Sequence, residues 1–162
     1  MGPSMITVRL ARPDDADFIV CMARALSVAD GGKSSRFTAE SFRRDGFGEH
    51  AAFSTMVVEF NGEVVGYAVY YAGYDTDSAT RGIYLADLYV DETRRRQGLG
   101  WALLTGLAAA ARSDGARWMF WSVLKRNRGA RRFYKKVAPE LKDVIVCAAF
   151  GRRFNALADR AL

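Results

Sequence analysis

Two short stretches carry residues whose types and spacing could do chemistry. The first is Arg95-Arg96-Gln97-Gly98-Leu99-Gly100, a basic turn between a strand-like segment, 83–90, and an apolar helical segment that begins at Leu99. Closely spaced glycines let backbone N–H groups converge on an anion, and a helix N-terminus adds a partial positive charge. Such a turn suits a pyrophosphate, although glycine turns of this kind also serve as plain connectors. The spelling excludes two phosphate-binding turns. A dinucleotide-binding turn needs a third glycine where Leu103 stands, and Trp101 and Ala102 are wrong for a P-loop. The second stretch is Asn127-Arg128-Gly129-Ala130-Arg131-Arg132-Phe133-Tyr134. It reads as a helix capped by Asn127, with Ala130, Phe133, Tyr134 and Val137 on one face, and its Tyr134 phenol is a proton donor at neutral pH.

Elements must hold these residues in place. Ile6 to Leu10 alternates as a half-buried strand, and Asp14 is the expected N-cap of a helix through Ala29 whose inner face is Phe18, Met22, Ala25, Leu26 and Ala29. Thr38 opens a short helix, Ala39 to Asp45, that Gly46-Phe47-Gly48 ends. Strands follow at 53–60 and 64–71, joined by Asn61-Gly62, a strong two-residue hairpin signal. A polar loop, 75–81, leads into the strand ending at Val90. After the glycine turn comes a helix whose apolar stripe is Leu99, Ala102, Leu103, Gly106, Leu107 and Ala110. A strand at 118–124, the Asn127 helix, a last strand at 144–150 and a short helix from Arg152 complete the chain. An antiparallel meander that flows into a strand–helix–strand crossover predicts an α/β (α+β) fold: a mixed, mostly antiparallel central sheet flanked by helices on both faces.

The 162 residues suit one domain, 5–162, with Met1-Gly2-Pro3-Ser4 read as an appended stretch before a native Met5. Half of the residues are apolar and about a quarter are charged, the balance of a soluble globular protein. No apolar run approaches membrane-spanning length, so no membrane partner is expected. Cys21 and Cys147 lie in apolar segments without ligand spacing. They are expected to be small core residues in a reducing, cytoplasmic setting, and with one histidine no metal site is expected. The formal charge of +6 points to an anionic partner. Its clusters at 94–96, 125–136 and 152–153 would suit nucleic acid, a phosphorylated cofactor, or simply solvated helix faces.

A strand, an Arg-x-x-Gly-x-Gly turn, a helix, a strand and then Asn-x-x-Ala-x-x-Phe-Tyr, in this order over residues 83–137, resembles the GNAT superfamily of acyl-CoA-dependent N-acetyltransferases. Asp45-Gly46-Phe47-Gly48-Glu49-His50, Gly66-Tyr67-Ala68-Val69-Tyr70-Tyr71, Tyr74-Asp75 and Ile83-Tyr84-Leu85 are similar to the spermidine/spermine (diamine) acetyltransferase branch, from about Thr38 onward. The resemblance implies acetyl-CoA as acyl-donor substrate. It places the pantetheine arm along the strand backbone at Leu88, Tyr89 and Val90, the pyrophosphate in Arg95, Arg96, Gln97, Gly98, Leu99 and Gly100, and Asn127 at the pantetheine. It also makes Tyr134 the acid that protonates the departing CoA thiolate, and the N–H of Leu88 or Tyr89 the donor to the tetrahedral oxyanion.

Transfer to an amine requires the neutral amine. An alkylammonium of pKa ~10.4 is only about 0.04% deprotonated at pH 7, so the free base costs roughly 4–5 kcal/mol, and a carboxylate is the usual means of supplying it. The diamine branch carries Leu-Glu-Asp where this chain has Leu85-Ala86-Asp87, and an acidic residue near the end of the first helix where this chain has Ala29. Asp87 is therefore the candidate to bind the amine or order a proton-relay water, with a structural carboxylate as its alternative role. Asp30, Asp75 and Asp77 are weaker candidates, and His50 is expected to take a surface or loop-bracing role. The acceptor expected from the resemblance is a small amine (a diamine, polyamine or lysine-like amino acid), and the assembly a homodimer through aromatics such as Tyr70, Tyr71 and Tyr74. The competing reading is a non-catalytic acyl-CoA sensor or a basic nucleic-acid-binding module; the joint presence of Arg95, Gly98, Gly100, Asn127 and Tyr134 ranks it second and disfavours nucleic acid.

Overall fold

The computed structural model describes residues 4–33 and 35–161; Met1-Gly2-Pro3, the greater part of the stretch read as preceding Met5, lies outside them. The chain forms two compact units, Met1–Leu124 and Lys125–Leu162.

The first unit is a five-stranded sheet in the order β1-β2-β3-β4-β5, with β1 Ile6–Leu10, β2 Ser54–Phe60, β3 Glu63–Asp75, β4 Thr80–Val90 and β5 Ala116–Trp121. Neighbours are antiparallel except β4 and β5, which run parallel. That pair needs a crossover, and α3, Leu99–Ser113, supplies it. Asn61 and Gly62 both take positive φ, +53° and +84°, as a tight hairpin between β2 and β3 demands. The β3–β4 hairpin is longer than the sequence suggests. Pairing continues to Asp75↔Thr80, so both ends of the expected polar loop are strand and only 76–79 form the turn.

Side-chain alternation divides the sheet into two faces. One face carries the cross-strand row Arg9, Val57, Tyr67 and Tyr89. Against it pack α1, Ala16–Ala29, and α2, Ala39–Asp45, through Ala16, Ile19, Met22, Ala23 and Phe42. Phe42 sits edge-on to Phe37 and Phe47, at ring centroid distances of 6.1 and 5.2 Å. The other face receives α3 through the buried Leu99, Leu103, Leu104 and Leu107, each worth about 2 kcal/mol of apolar burial. A Cβ on Gly106 would stand 2.7 Å from a Val8 methyl, so glycine there lets α3 close on β1.

Three expectations are corrected in this unit. Asp14 does not cap α1. A single 3-10 turn, Pro13–Asp15, precedes the helix, and it is Asp15 whose carboxylate accepts the Arg12 N–H at 2.6 Å. The inner face of α1 is Ala16, Ile19, Val20, Met22 and Ala23, while Phe18 is 56% exposed. Arg9 holds Asp15 and so fixes the rotation of the helix that follows. The same rotation turns Cys21 outward, and it is an exposed free thiol.

In the second unit α4, Arg128–Tyr134, begins at Asn127, whose Oδ1 accepts the Ala130 N–H at 3.0 Å. Arg131 joins the helix to Glu140 through two contacts of 2.7 and 2.9 Å. A short α5, Arg152–Ala158, follows Gly151 at φ +54°. The expected strand at 144–150 is not formed. Its Val-Ile-Val run favours extended backbone, but an extended segment becomes a strand only when a neighbour takes its N–H and C=O groups, and this one has no ladder partner within its unit. Cys147 in this segment is exposed rather than buried in a core.

Candidate active site

The site is built around the end of β4. Parallel pairing with β5 stops at Leu85↔Trp121, whereas β4 continues to Val90. From Asp87 to Val90 its ladder partners are Val69, Ala68, Tyr67 and Gly66 of β3. β5 leaves the opposite edge open there, so backbone groups of the Leu88–Val90 stretch, apart from the Val90 carbonyl that Arg95 takes, stand available to an extended ligand.

Beyond the strand, Asp91 caps a single 3-10 turn, Glu92–Arg94, by accepting the Thr93 N–H at 2.8 Å. The chain then passes through left-handed backbone twice, at Arg96 (φ +65°) and Gly98 (φ +81°). The first bond of α3 is Ala102 N–H to Gly98 C=O, 2.9 Å. Among the described residues no backbone carbonyl accepts from the N–H groups of Arg96 to Trp101. These donors, at the positive end of a four-turn helix, stand where the spelling suggests an anion nest. The Arg95 side chain does not hang over the nest. Its Nε donates to the Val90 carbonyl at 3.0 Å, its Nη1 lies 3.3 Å from Glu92, and its guanidinium covers the Tyr89 ring at 5.4 Å.

Asp87 lies two register positions from the buried Tyr67–Tyr89 pair and so on the same face, the one covered by α1 and α2. Its Oδ2 accepts a hydrogen bond from the Tyr67 hydroxyl at 3.2 Å. Burial pushes the Asp87 carboxyl above the usual aspartate range, the Tyr67 donor pulls it back, and the negative charge of Asp30 at the end of α1 pushes it up again. A carboxylate so placed is a stronger base than a solvated one. Burial, with Asp87 as a charged neighbour, also drives the Tyr67 phenol far above its ordinary value and keeps it protonated, a donor at every working pH. Tyr67 was legible only as a strand residue. The Gly66-Tyr67 alternation marks it as inward-facing, but its opposition to β4 near Asp87 depends on the register.

That register contains a bulge. Val69 pairs with Asp87 and Tyr70 with Leu85, so Ala86 is the extra residue. The bulge puts Tyr84 on the same face as Asp87, where Tyr71, Tyr84 and Phe120 stack across three strands at 5.1 and 5.9 Å. Tyr84 also shares a 3.0 Å hydrogen bond with Ser122. Tyr71 and Tyr74 are exposed and Tyr70 is half-buried.

Other acidic candidates fall elsewhere. Asp75 and Asp77 occupy the far end of the β3–β4 hairpin, six strand residues or roughly 20 Å from the Asp87 row. There Asp75 accepts from the Asp77 N–H and the Ser78 hydroxyl, bonds that hold its carboxyl low. His50 is exposed in the loop after α2. Asn127 and Tyr134 belong to the second unit. The Asn127 Oδ1 is used by its helix cap, which leaves its amide NH2 as the group able to meet a ligand carbonyl. Tyr134, partly buried, stands edge-on to Phe133 at 5.2 Å.

An open strand end followed directly by unbonded backbone N–H groups at a helix start is the arrangement that the resemblance to N-acetyltransferases implies, and comparison with known proteins gives the class. The model of the acetyltransferase (GNAT) family matches residues 24–138, and the chain belongs to that family as an N-acetyltransferase. It is 34% identical over 137 residues to a thialysine N-epsilon-acetyltransferase of Mus musculus, covering 79% of this chain and 80% of the relative. An L-ornithine acetyltransferase of Arabidopsis thaliana is 30% identical over 95 residues, 58% of this chain and 42% of the relative. Among solved structures, an integron cassette protein from the mobile metagenome of V. cholerae superposes with a TM-score of 0.78 at 21% identity, covering 94% and 97% of the two chains. An aminoglycoside acetyltransferase from an uncultured soil metagenomic sample gives 0.73 at 20% identity, covering 90% and 95%. The two structures share the fold.

Proposed function

We propose that this chain, acting as one acetyltransferase domain, moves the acetyl group of acetyl-CoA directly to a primary amine of a small molecule. The observation that carries this reading is the half-buried Asp87 carboxylate, held by Tyr67 and raised in basicity, beside the open end of β4. In this reading the N–H groups of Arg96 to Trp101 hold the pyrophosphate, and the Leu88–Val90 backbone and the Asn127 amide hold the pantetheine. Asp87, directly or through a water, removes the proton from the incoming ammonium and so offsets the roughly 4–5 kcal/mol cost of the free amine. The N–H of Leu88 or Tyr89 meets the carbonyl oxygen as it gains charge. The leaving thiolate takes its proton from Tyr134.

The curated relatives named for thialysine and L-ornithine support an acceptor with a short, flexible primary amine. The net charge of +6 works against polycations, and Ala86 adds no second carboxylate beside Asp87. Free amino acids with an amine-bearing side chain therefore rank above polyamines. The test is acetyl-CoA-dependent thiol release from thialysine, ornithine, lysine and spermidine. Amine-dependent release with the amino acids ahead supports the reading. Acetyl-CoA binding with no release from any amine would replace it with a sensing role.

A further inference from the structure

We infer that Tyr67 is a positioning residue for Asp87: its hydroxyl holds the Asp87 carboxylate in one rotamer by occupying Oδ2, leaving Oδ1 as the oxygen offered to the acceptor amine. This rests on the proposed role of Asp87 and adds to it a device built into the neighbouring strand.

The geometry leaves Tyr67 little freedom. The residue is 0% exposed, wedged under α1 and α2 in the row Arg9, Val57, Tyr67, Tyr89. Its ring lies 6.4 Å from that of Tyr89, and Ala16, Ile19 and Ala23 of α1 belong to the same cluster. A buried ring has one rotamer, so its hydroxyl is a fixed donor, 3.2 Å from Asp87 Oδ2. Among the described residues no hydrogen bond engages Asp87 Oδ1. Asp87 is half-buried, so Oδ1 is reachable by a ligand, and an ammonium supplies both a donor and a charge.

The groups that set the Asp87 charge come from two other elements: Tyr67 from β3 and Asp30 from the end of α1. Tyr67 and Asp30 act with opposite sign. The phenol stabilises the carboxylate, while the second carboxylate destabilises it and also makes the pocket attractive to a cation. Together they hold one carboxylate ionised yet basic.

The experiment follows Asp carboxyl carbons by NMR through a pH titration of the full chain. D87N assigns the resonance, and acetyl-CoA-dependent turnover of thialysine is measured alongside. Y67F removes one buried oxygen at constant shape, and its folding is checked by thermal melting. The expected result is an Asp87 midpoint raised by about half a unit or more in Y67F, a threefold or larger change in proton affinity, and lowered in D30N. The acidic limb of kcat/KM should move upward with it in Y67F. An unmoved Asp87 midpoint in folded Y67F overturns the positioning role, whatever the turnover. Full thialysine turnover by D87N would instead remove Asp87 from the reaction while leaving the Tyr67–Asp87 coupling standing, so the two failures are distinguishable.

Discussion

Arg9 grips Asp15 with both guanidinium nitrogens, Nη1 to Oδ2 at 2.8 Å and Nη2 to Oδ1 at 2.9 Å, while its Nε bonds Glu59 at 2.7 Å. Asp15, 6% exposed, also accepts the Arg12 N–H, so one carboxylate ties β1 to the start of α1. The Arg9 hydrogen bond, opposed by desolvation, holds the Asp15 carboxyl below its ordinary value. A depressed pKa contributes stability that is fully present above the unfolded value and is lost as pH falls through the folded one. D15N should cost about 2–3 kcal/mol, somewhat under the cost of breaking a fully buried pair. Urea midpoints at pH 6 and in the acid range below ordinary aspartate should show wild type losing stability on acidification and D15N losing less.

Gly98 stands at φ +81° with nothing within 4 Å of where a Cβ would be. Alanine there meets no neighbour and is penalised by backbone strain alone, about 1–2 kcal/mol. G98A should lower the urea midpoint and weaken CoA binding several-fold by calorimetry, because relieving the strain tilts the first N–H groups of α3. G98N, which tolerates left-handed backbone, should recover most of both.

Gly82 has the opposite reason to be glycine. A Cβ there would lie 2.0 Å from the Trp118 ring, which rests on the strand surface left bare by Gly82 and Gly73. G82A must displace that indole, at about 1–3 kcal/mol. A lower melting temperature accompanied by a shift in tryptophan emission is the expected outcome. A melting loss without an emission change would place the damage elsewhere.

Y134F tests the proposed acid. It should leave the dissociation constant for acetyl-CoA unchanged and reduce kcat about 100-fold, the usual range for losing a positioned proton donor. Unchanged turnover would remove Tyr134 from that role.

Local signals suffice where local physics decides. Asn61-Gly62 has to turn, Thr38 caps α2 through its hydroxyl to the Ser41 N–H at 3.1 Å, and Asn127 caps α4. The strand, nest and helix around Arg95–Gly100 were legible because glycines and apolar runs lie next to each other in sequence. What escaped was set at a distance. The rotation of α1 depends on the Arg9–Asp15 clasp, so periodicity alone favoured Phe18 over Ile19. The partner of Asp87 depends on a register fixed by two hairpins, so Tyr67 looked like any strand aromatic. The strand expected at 144–150 had the composition for extended backbone but lacked a ladder partner in its own unit.

Ala86, the unpaired residue of β4, acts as a phase shifter. Drawn into the ladder, it would exchange the two sides of the sheet for every residue from Thr80 to Leu85, sending Tyr84 toward α3 and Leu85 toward the face of Asp87, whereas deleting it would close the bulge and leave Asp87↔Val69 and Leu85↔Tyr70 on their present faces. The strand therefore has two halves whose relative phase is set at one position: the facing of Thr80–Leu85 against that of Asp87–Val90 depends on Ala86 staying outside the ladder.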